Sequence, residues 1–336
     1  MKGSELRSFR FVIMFAAVLL VSGTLAIQSA AAKTTIKFND RSWDSIQVHN
    51  RIAGFIIEHG YGYDVDYVPG ETVSLLTALQ RGDSDVEMES WTENTQELFD
   101  KGLKEGTIID LGPNYRDNWQ GWLVPTFVIK GDEKRGIKPM APGLKSVHDL
   151  PTYWEVFKDP EEPTKGRFYN SIPGWGVTAI NSQKLKAYGL DKYFTDFIPG
   201  SDAALAGSMT AAVKRGKPWV GYYWAPSWIL GKLDMTALEE PPFDKEIWNT
   251  TKACAFQPVQ VHIFVNAKLP GKAPEVIEFL KKYETTTALN NEILAHMQDT
   301  RGMPEDGALW FLKNKKELWT GWVPADVAGK VEAALK

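Results

Sequence analysis

The sequence predicts an α/β protein built of two lobes, and three observations carry that expectation. Its 336 residues exceed the roughly 150 typical of one domain. Short apolar segments alternate with longer amphipathic ones, the pattern of strands interleaved with helices. Two stretches of that pattern, one beginning near Trp43 and one near Trp175, pass the same landmarks in the same order. Apolar residues at 43% and charged residues at 24% exclude wholesale disorder. The formal charge of −4 comes with no basic block, which argues against a nucleic-acid surface. A single cysteine, Cys254, leaves no disulfide framework and no cysteine-based zinc site.

Taken in order, residues 1–32 read as a secretory signal peptide. Lys2, Arg7 and Arg10 form a basic start, Phe11 to Leu20 is an unbroken apolar run, and Ala30-Ala31-Ala32 offers small residues for cleavage. Ser22, Gly23 and Thr24 interrupt the run short of the roughly 20 residues a spanning helix needs. The mature chain is expected to start at Lys33, in the periplasm. Thr35 to Phe38, Asp64 to Val68 and Asp85 to Met88 read as strands, with helices near 45–59 and 72–81 between them. Gly121 to Lys130 reads as a longer apolar strand. Residues 131–166, with five prolines among glycines and charges, read as a boundary or a surface excursion. A second α/β stretch fills 167–232. Val259, Val261, Ile263 and Val265 alternate as a half-buried strand, and helical stripes follow from Pro274 and from Leu289. Lobe one is therefore expected over 33–125 and again over 258–336, with lobe two at 126–257.

Thirteen tryptophans need a reason. The first α/β stretch runs Trp43, a helix ending near Gly60, Pro69-Gly70, a helix ending in Arg81-Gly82, then Trp91. The second runs Trp175, Gly189, Pro199-Gly200, Arg215-Gly216, then Trp224. The tryptophan spacings are 48 and 49 residues. In each copy the tryptophans fall after the first and third strands, at the carboxyl edge of a parallel sheet where open α/β folds bind ligands. Two facing lobes would bring Trp43, Trp91, Trp175 and Trp224 to one cleft. Such a box of ring faces suits a quaternary ammonium, which cannot donate hydrogen bonds. The competing reading makes each an ordinary core aromatic, and Trp310, Trp319 and Trp322 are assigned to the core outright. Trp122 and Trp228 are expected to support the box from behind.

Asp44 and Glu89 border the box and are candidates to neutralise a cation, with helix capping or a surface ion pair as the alternative. Glycines flank Trp175 just before a helix, so the amides of Gly176 and Val177 are candidates to receive a carboxylate. The alternative is a tight turn that merely needs glycine. Catalysis has little support: five histidines are scattered, with no HExxH, no GxSxG elbow and no phosphate loop. No metal or cofactor motif is present.

With the tryptophan placement, GWLVPTFVIKGD (121–132), SVHDLPTYWEVFKDPEEPTKGRFYNSIPGW (146–175) and GYYWAPSW (221–228), the chain resembles substrate-binding proteins of glycine betaine/choline-type ABC importers. The resemblance spans essentially all of the mature chain. It implies a two-lobed type II periplasmic-binding fold that closes on its ligand, a monomer, and a membrane permease as partner. The ligand it implies is glycine betaine, with choline, carnitine, a sulfonium analogue and trimethylamine N-oxide as alternatives sharing a methylated head. A carbohydrate, which also stacks on tryptophan, is the rival from another class. Some members carry a histidine in the segment matching WAPSW that helps hold a betaine carboxylate; Ser227 stands there in this chain.

Overall fold

The computed structural model describes residues 33–257 and 260–336; the expected signal peptide and Val259 lie outside the described residues. Two five-stranded sheets organise the chain. The first contains β1 (Thr35–Asp40), β2 (Asp64–Pro69), β3 (Val86–Ser90) and β4 (Ile108–Tyr115), completed by β10 (Val261–Asn266), in the order β2-β1-β3-β10-β4. The second contains β5 (Trp119–Pro125), β6 (Gly166–Tyr169), β7 (Phe194–Phe197), β8 (Gly221–Ala225) and β9 (Met235–Ala237), in the order β7-β6-β8-β5-β9. In each sheet the first three strands run parallel and the fourth is antiparallel to its neighbours. The duplicated landmarks of the sequence thus correspond to two sheets of one topology.

Each sheet takes its antiparallel strand from a segment that has just crossed over from the other. The chain leaves the first sheet after Tyr115 and enters the second at Trp119. The crossover therefore lies at residues 116–118 and not at the expected 125/126 division. The expected strand over Gly121 to Lys130 is also two elements: β5 ends at Pro125, and Thr126–Lys130 is a short helix stopped at Gly131, where φ is +76°. The apolar residues on either side carry no periodicity that separates a buried strand from a buried helix, but Pro125-Thr126 between them was a visible breaker that the one-strand reading passed over. Residues 131–166 prove to be part of lobe two, since Ala141, Leu144, Val147, Leu150 and Phe157 are buried in its core.

Local signals place the helices that matter for the site. α1 (Asp44–Phe55) starts directly after Trp43, and α2 (Thr72–Arg81) opens with a capping box between Glu71 and Ser74 and closes on Gly82, left-handed at φ +85°. α3 (Gln96–Lys104) and α4 (Thr126–Lys130) follow. α5 (Gly176–Ala187) begins after Trp175, and α6 (Asp202–Arg215) runs from a Ser201 cap to left-handed Gly216. α7 (Trp228–Lys232) is capped by Ser227. The helices over Thr287–Thr300 and Pro304–Asn314 return to lobe one, the second of them packing on α1. Trp319 and Trp322 are buried in that lobe's core and Trp310 packs partly buried against it.

Candidate functional site

The four tryptophans expected to meet do meet. Trp43 precedes α1, Trp91 directly follows β3, Trp175 precedes α5, and Trp224 is the fourth residue of β8, inside the strand and not beyond it. Together they wall a small cavity of about 30 Å³ between the lobes. The rings of Trp43 and Trp175 meet at 5.3 Å and 81°, and those of Trp175 and Trp224 at 5.0 Å and 82°. Both contacts are T-shaped, the edge of one ring against the face of the next. Each of the four rings is only 6–7% exposed. They also join the apolar cluster that fills lobe two, so cage and core are continuous.

The polar part of the wall comes from Arg41, Thr72, Asn94 and the amide-bearing start of α5 at Gly176 and Val177. No side chain caps α5, so its first amides face the cavity end of the helix without a competitor from the cap position. Gly176 has a second reason to be glycine. A Cβ there would sit 2.3 Å from the Asn94 carbonyl oxygen and 2.5 Å from the Thr95 side chain. Lobe two touches lobe one at that point backbone to backbone. Gly174, left-handed at φ +90°, likewise has no room beside Glu71.

Neither acid lines the cavity. Glu89 is fully buried behind it, and one oxygen of its carboxylate accepts from Trp43 Nε1 at 2.8 Å, Trp91 Nε1 at 3.0 Å and Ser45 Oγ at 3.0 Å. Burial pushes its pKa up, opposed by those hydrogen bonds. Glu89 therefore sets the orientation of two cage walls. Glu71 does the same across the cleft, accepting from Trp175 Nε1 at 2.8 Å. Asp44, the first residue of α1, has its pKa raised by burial and lines a neighbouring, larger cleft of about 410 Å³. Asp202 faces that cleft too, pushed up to about 7 by burial and then by the charges of Asp44 and Glu71.

Of the expected supports, Trp122 is in the core of lobe two, bonded to Asn181 at 2.8 Å and packed on Phe168. Trp228 and Ser227 line the neighbouring cleft, and Ser227 also takes an Asn291 oxygen on its backbone amide at 2.8 Å. Sequence reasoning missed Arg41, Glu71, Asn94 and Tyr222. It also missed Glu93, pushed up to about 8 by burial, which links lobe one to Gln120 of β5 at 2.5 Å. The available signal was the alternation of Glu87 and Glu89 in VEMES, which reads as a solvated face until burial of both faces makes each acid seek a partner.

Two sheets of one topology, joined by crossovers and holding an aromatic cavity between them, define a two-lobed solute-binding protein of type II periplasmic-binding architecture. Residues 34–314 match the family described as the substrate binding domain of ABC-type glycine betaine transport systems, and the chain belongs to that family. The glycine betaine/proline betaine-binding periplasmic protein of Escherichia coli (strain K12) is 24% identical over 283 residues, 80% of this chain and 81% of that one. The glycine betaine/carnitine transport binding protein of Listeria monocytogenes is also 24% identical, over 149 residues, and this match spans 46% of that protein's length. Among solved structures, a glycine/betaine/L-proline-binding protein from Borrelia burgdorferi superposes with a TM-score of 0.73 at 19% identity, over 89% of this chain and all of that one. An ABC-transporter choline binding protein in complex with choline gives 0.73 at 18% identity, covering 90% and 98%.

Proposed function

We propose that this protein captures a small methylated ammonium compound, glycine betaine first, in the cage of Trp43, Trp91, Trp175 and Trp224 and delivers it to the permease of an ABC importer. The observation that carries this is the convergence of four tryptophans from both lobes on one cavity. A desolvated cation–π contact is worth about 2 kcal/mol, so four contribute on the order of 8 kcal/mol before association costs, the scale of a micromolar dissociation constant. Choline, carnitine, sulfonium compounds and trimethylamine N-oxide share the head group. A sugar needs polar partners around each ring, and this wall is mostly aromatic. Titration calorimetry with betaines, choline, trimethylamine N-oxide and sugars tests the reading; binding of sugars alone would overturn it.

The lobes close on the ligand about the two crossovers, and Gly176 is one of the places where they touch. Gly176→Ala forces its Cβ against the Asn94 carbonyl, and overpacking of this kind costs about 1–3 kcal/mol, or roughly 5- to 150-fold in affinity. The lobes themselves fold normally. Titration paired with small-angle scattering checks this: the variant should bind weakly and stay expanded at ligand concentrations that compact the parent. Equal affinity and equal compaction would exclude Gly176 from closure.

Export to the periplasm as a soluble monomer completes the reading, supported by the basic start, short apolar run and alanine triplet of residues 1–32. N-terminal sequencing of periplasmic material is expected to begin at Lys33. Recovery of the intact N-terminus in membranes would show an anchor instead.

A further inference from the structure

We infer that Glu93 and Gln120 are positioning residues of the cage, and that closing the lobes on a ligand places a proton on Glu93. The inference rests on the tryptophan-cage reading and follows from a polar knot behind the cavity, where the two lobes meet. Glu93 belongs to lobe one, in the turn Thr92–Asn94 after Trp91. Gln120 belongs to lobe two, on β5, two residues past the crossover. Gln120 Nε2 donates to Glu93 Oε1 at 2.5 Å, and Gln120 Oε1 accepts from the Tyr222 hydroxyl at 2.9 Å. The Gln120 and Asn94 amides also exchange two long bonds of 3.4 Å. Asn94 and Tyr222 both stand in the cavity wall, one from each lobe. With its N–H on Glu93, the Gln120 amide turns its oxygen to Tyr222, so the tyrosine proton is committed there and not to the ligand.

Glu93 is 3% exposed, and its Oε2 is buried with no hydrogen-bond partner among the described residues. The titratable groups that face it are Tyr115 of β4 and Tyr222 of β8, each of which feels its charge. Glu97 and Asp100 of α3, with Lys245 and Lys252 of lobe two, line the same interlobe cleft of about 770 Å³. Neither lysine forms an ion pair with Glu93 among the described residues. A carboxylate oxygen stripped of water and of donors is costly, so the closed form favours the neutral acid. Burial accordingly pushes the Glu93 pKa up to about 8. Opening reverses this. Asn94 and Thr95, the next two residues, pack on lobe two at Gly176, so separating the lobes lifts that cover and lets water reach the carboxylate. Its pKa then returns toward the ordinary value of 4.5. Between the two values closure draws a proton from solvent. Affinity therefore falls as pH rises from about 4.5 and levels off above about 8.

The test uses the full mature chain with glycine betaine and choline, neither of which titrates between about pH 5.5 and 8.5. Calorimetric titration in phosphate and in Tris at one pH gives the protons taken up per ligand, from the difference in observed enthalpy. Asp202, whose carboxyl is also pushed up, faces the other cleft, so the variants are compared in an Asp202→Asn background. That chain should take up close to one proton per betaine at about pH 6–7, with affinity falling up to roughly tenfold per pH unit. Adding Glu93→Gln keeps an acceptor for Gln120 but removes the titrating group, so uptake should vanish and the profile flatten. Adding Gln120→Met instead removes the side-chain partner of Glu93, so uptake should extend to higher pH. It also frees Asn94 and Tyr222, and both ligands should weaken by about tenfold. Circular dichroism establishes folding. If one of these variants does not fold the other decides, and if neither folds the Asp202→Asn chain decides by taking up a proton or not. Betaine binding without proton uptake, uptake that survives Glu93→Gln, or a Gln120→Met profile that matches its background would each overturn the inference and leave the cage intact. Failure of betaine and choline alike to bind the parent would overturn the cage reading itself, and this inference with it.

Discussion

Trp175→Ala should weaken binding of a methylated ammonium ligand by more than about 30-fold, the largest loss among the four cage positions. One lost cation–π face accounts for about 2 kcal/mol, and 1.4 kcal/mol is a decade of affinity. Trp175 contributes more than a face. Its ring abuts both Trp43 and Trp224, and its Nε1 bonds to Glu71 across the cleft. Losing that interlobe bond adds about 0.5–1.5 kcal/mol to the cost of the closed state. Trp175→Phe keeps a weaker face and loses the bond, so it should fall between parent and alanine. Because these rings are continuous with the core of lobe two, the alanine variants should also melt several degrees lower. Calorimetric titration well below the melting temperature separates the two effects, and parent-like affinity in a folded Trp175→Ala would return the ring to a purely structural role.

Glu89→Ala should depress every methylated ammonium ligand alike, by about 100-fold, because it strands the N–H groups of Trp43 and Trp91 and the Ser45 hydroxyl. An unsatisfied buried donor costs about 1–3 kcal/mol, and two indoles released from one anchor lose the orientation it fixes. Glu89→Gln retains one carbonyl acceptor and should lose only about tenfold, by the same scale. Betaine and choline titrations on both variants, with tryptophan emission as a monitor of ring environment, make the comparison. In the sequence, Glu89 is a candidate to neutralise the bound cation directly, a role that would favour cations lacking a carboxylate of their own. Its place behind the wall predicts equal losses. Choline weakened with betaine spared would mean that the carboxylate reaches the ligand after all.

Much of the architecture was readable because its signals are local. The alternation of Thr35 to Phe38, the stops at Gly82 and Gly216, and the start of α2 at Thr72 each follow from a few adjacent residues. The repeated spacing of tryptophans survived as two sheets with one strand order. The family resemblance rested on longer segments and extended over the same chain. What failed locally failed for a stated cause: Pro125 ends a strand within a stretch read as one apolar element, and the sheet that β5 joins is chosen by partners a hundred residues away in Tyr222 and Trp224.

By itself, then, the sequence determined the alternation of strands and helices, the duplication, and the four aromatic positions, three of them past strand ends and Trp224 within β8, since each depends on near neighbours and turn chemistry. Only the tertiary structure decided which polar groups face the cavity. VEMES looks half-solvated in isolation, yet β10 and β1 flank it, α1 covers it, and both its acids are driven to find donors, Glu87 at Arg41 and Glu89 at the indoles. Burial is a property of what packs on a strand from elsewhere in the chain. It turned two apparent surface acids into the supports of the cage and left an arginine in its wall.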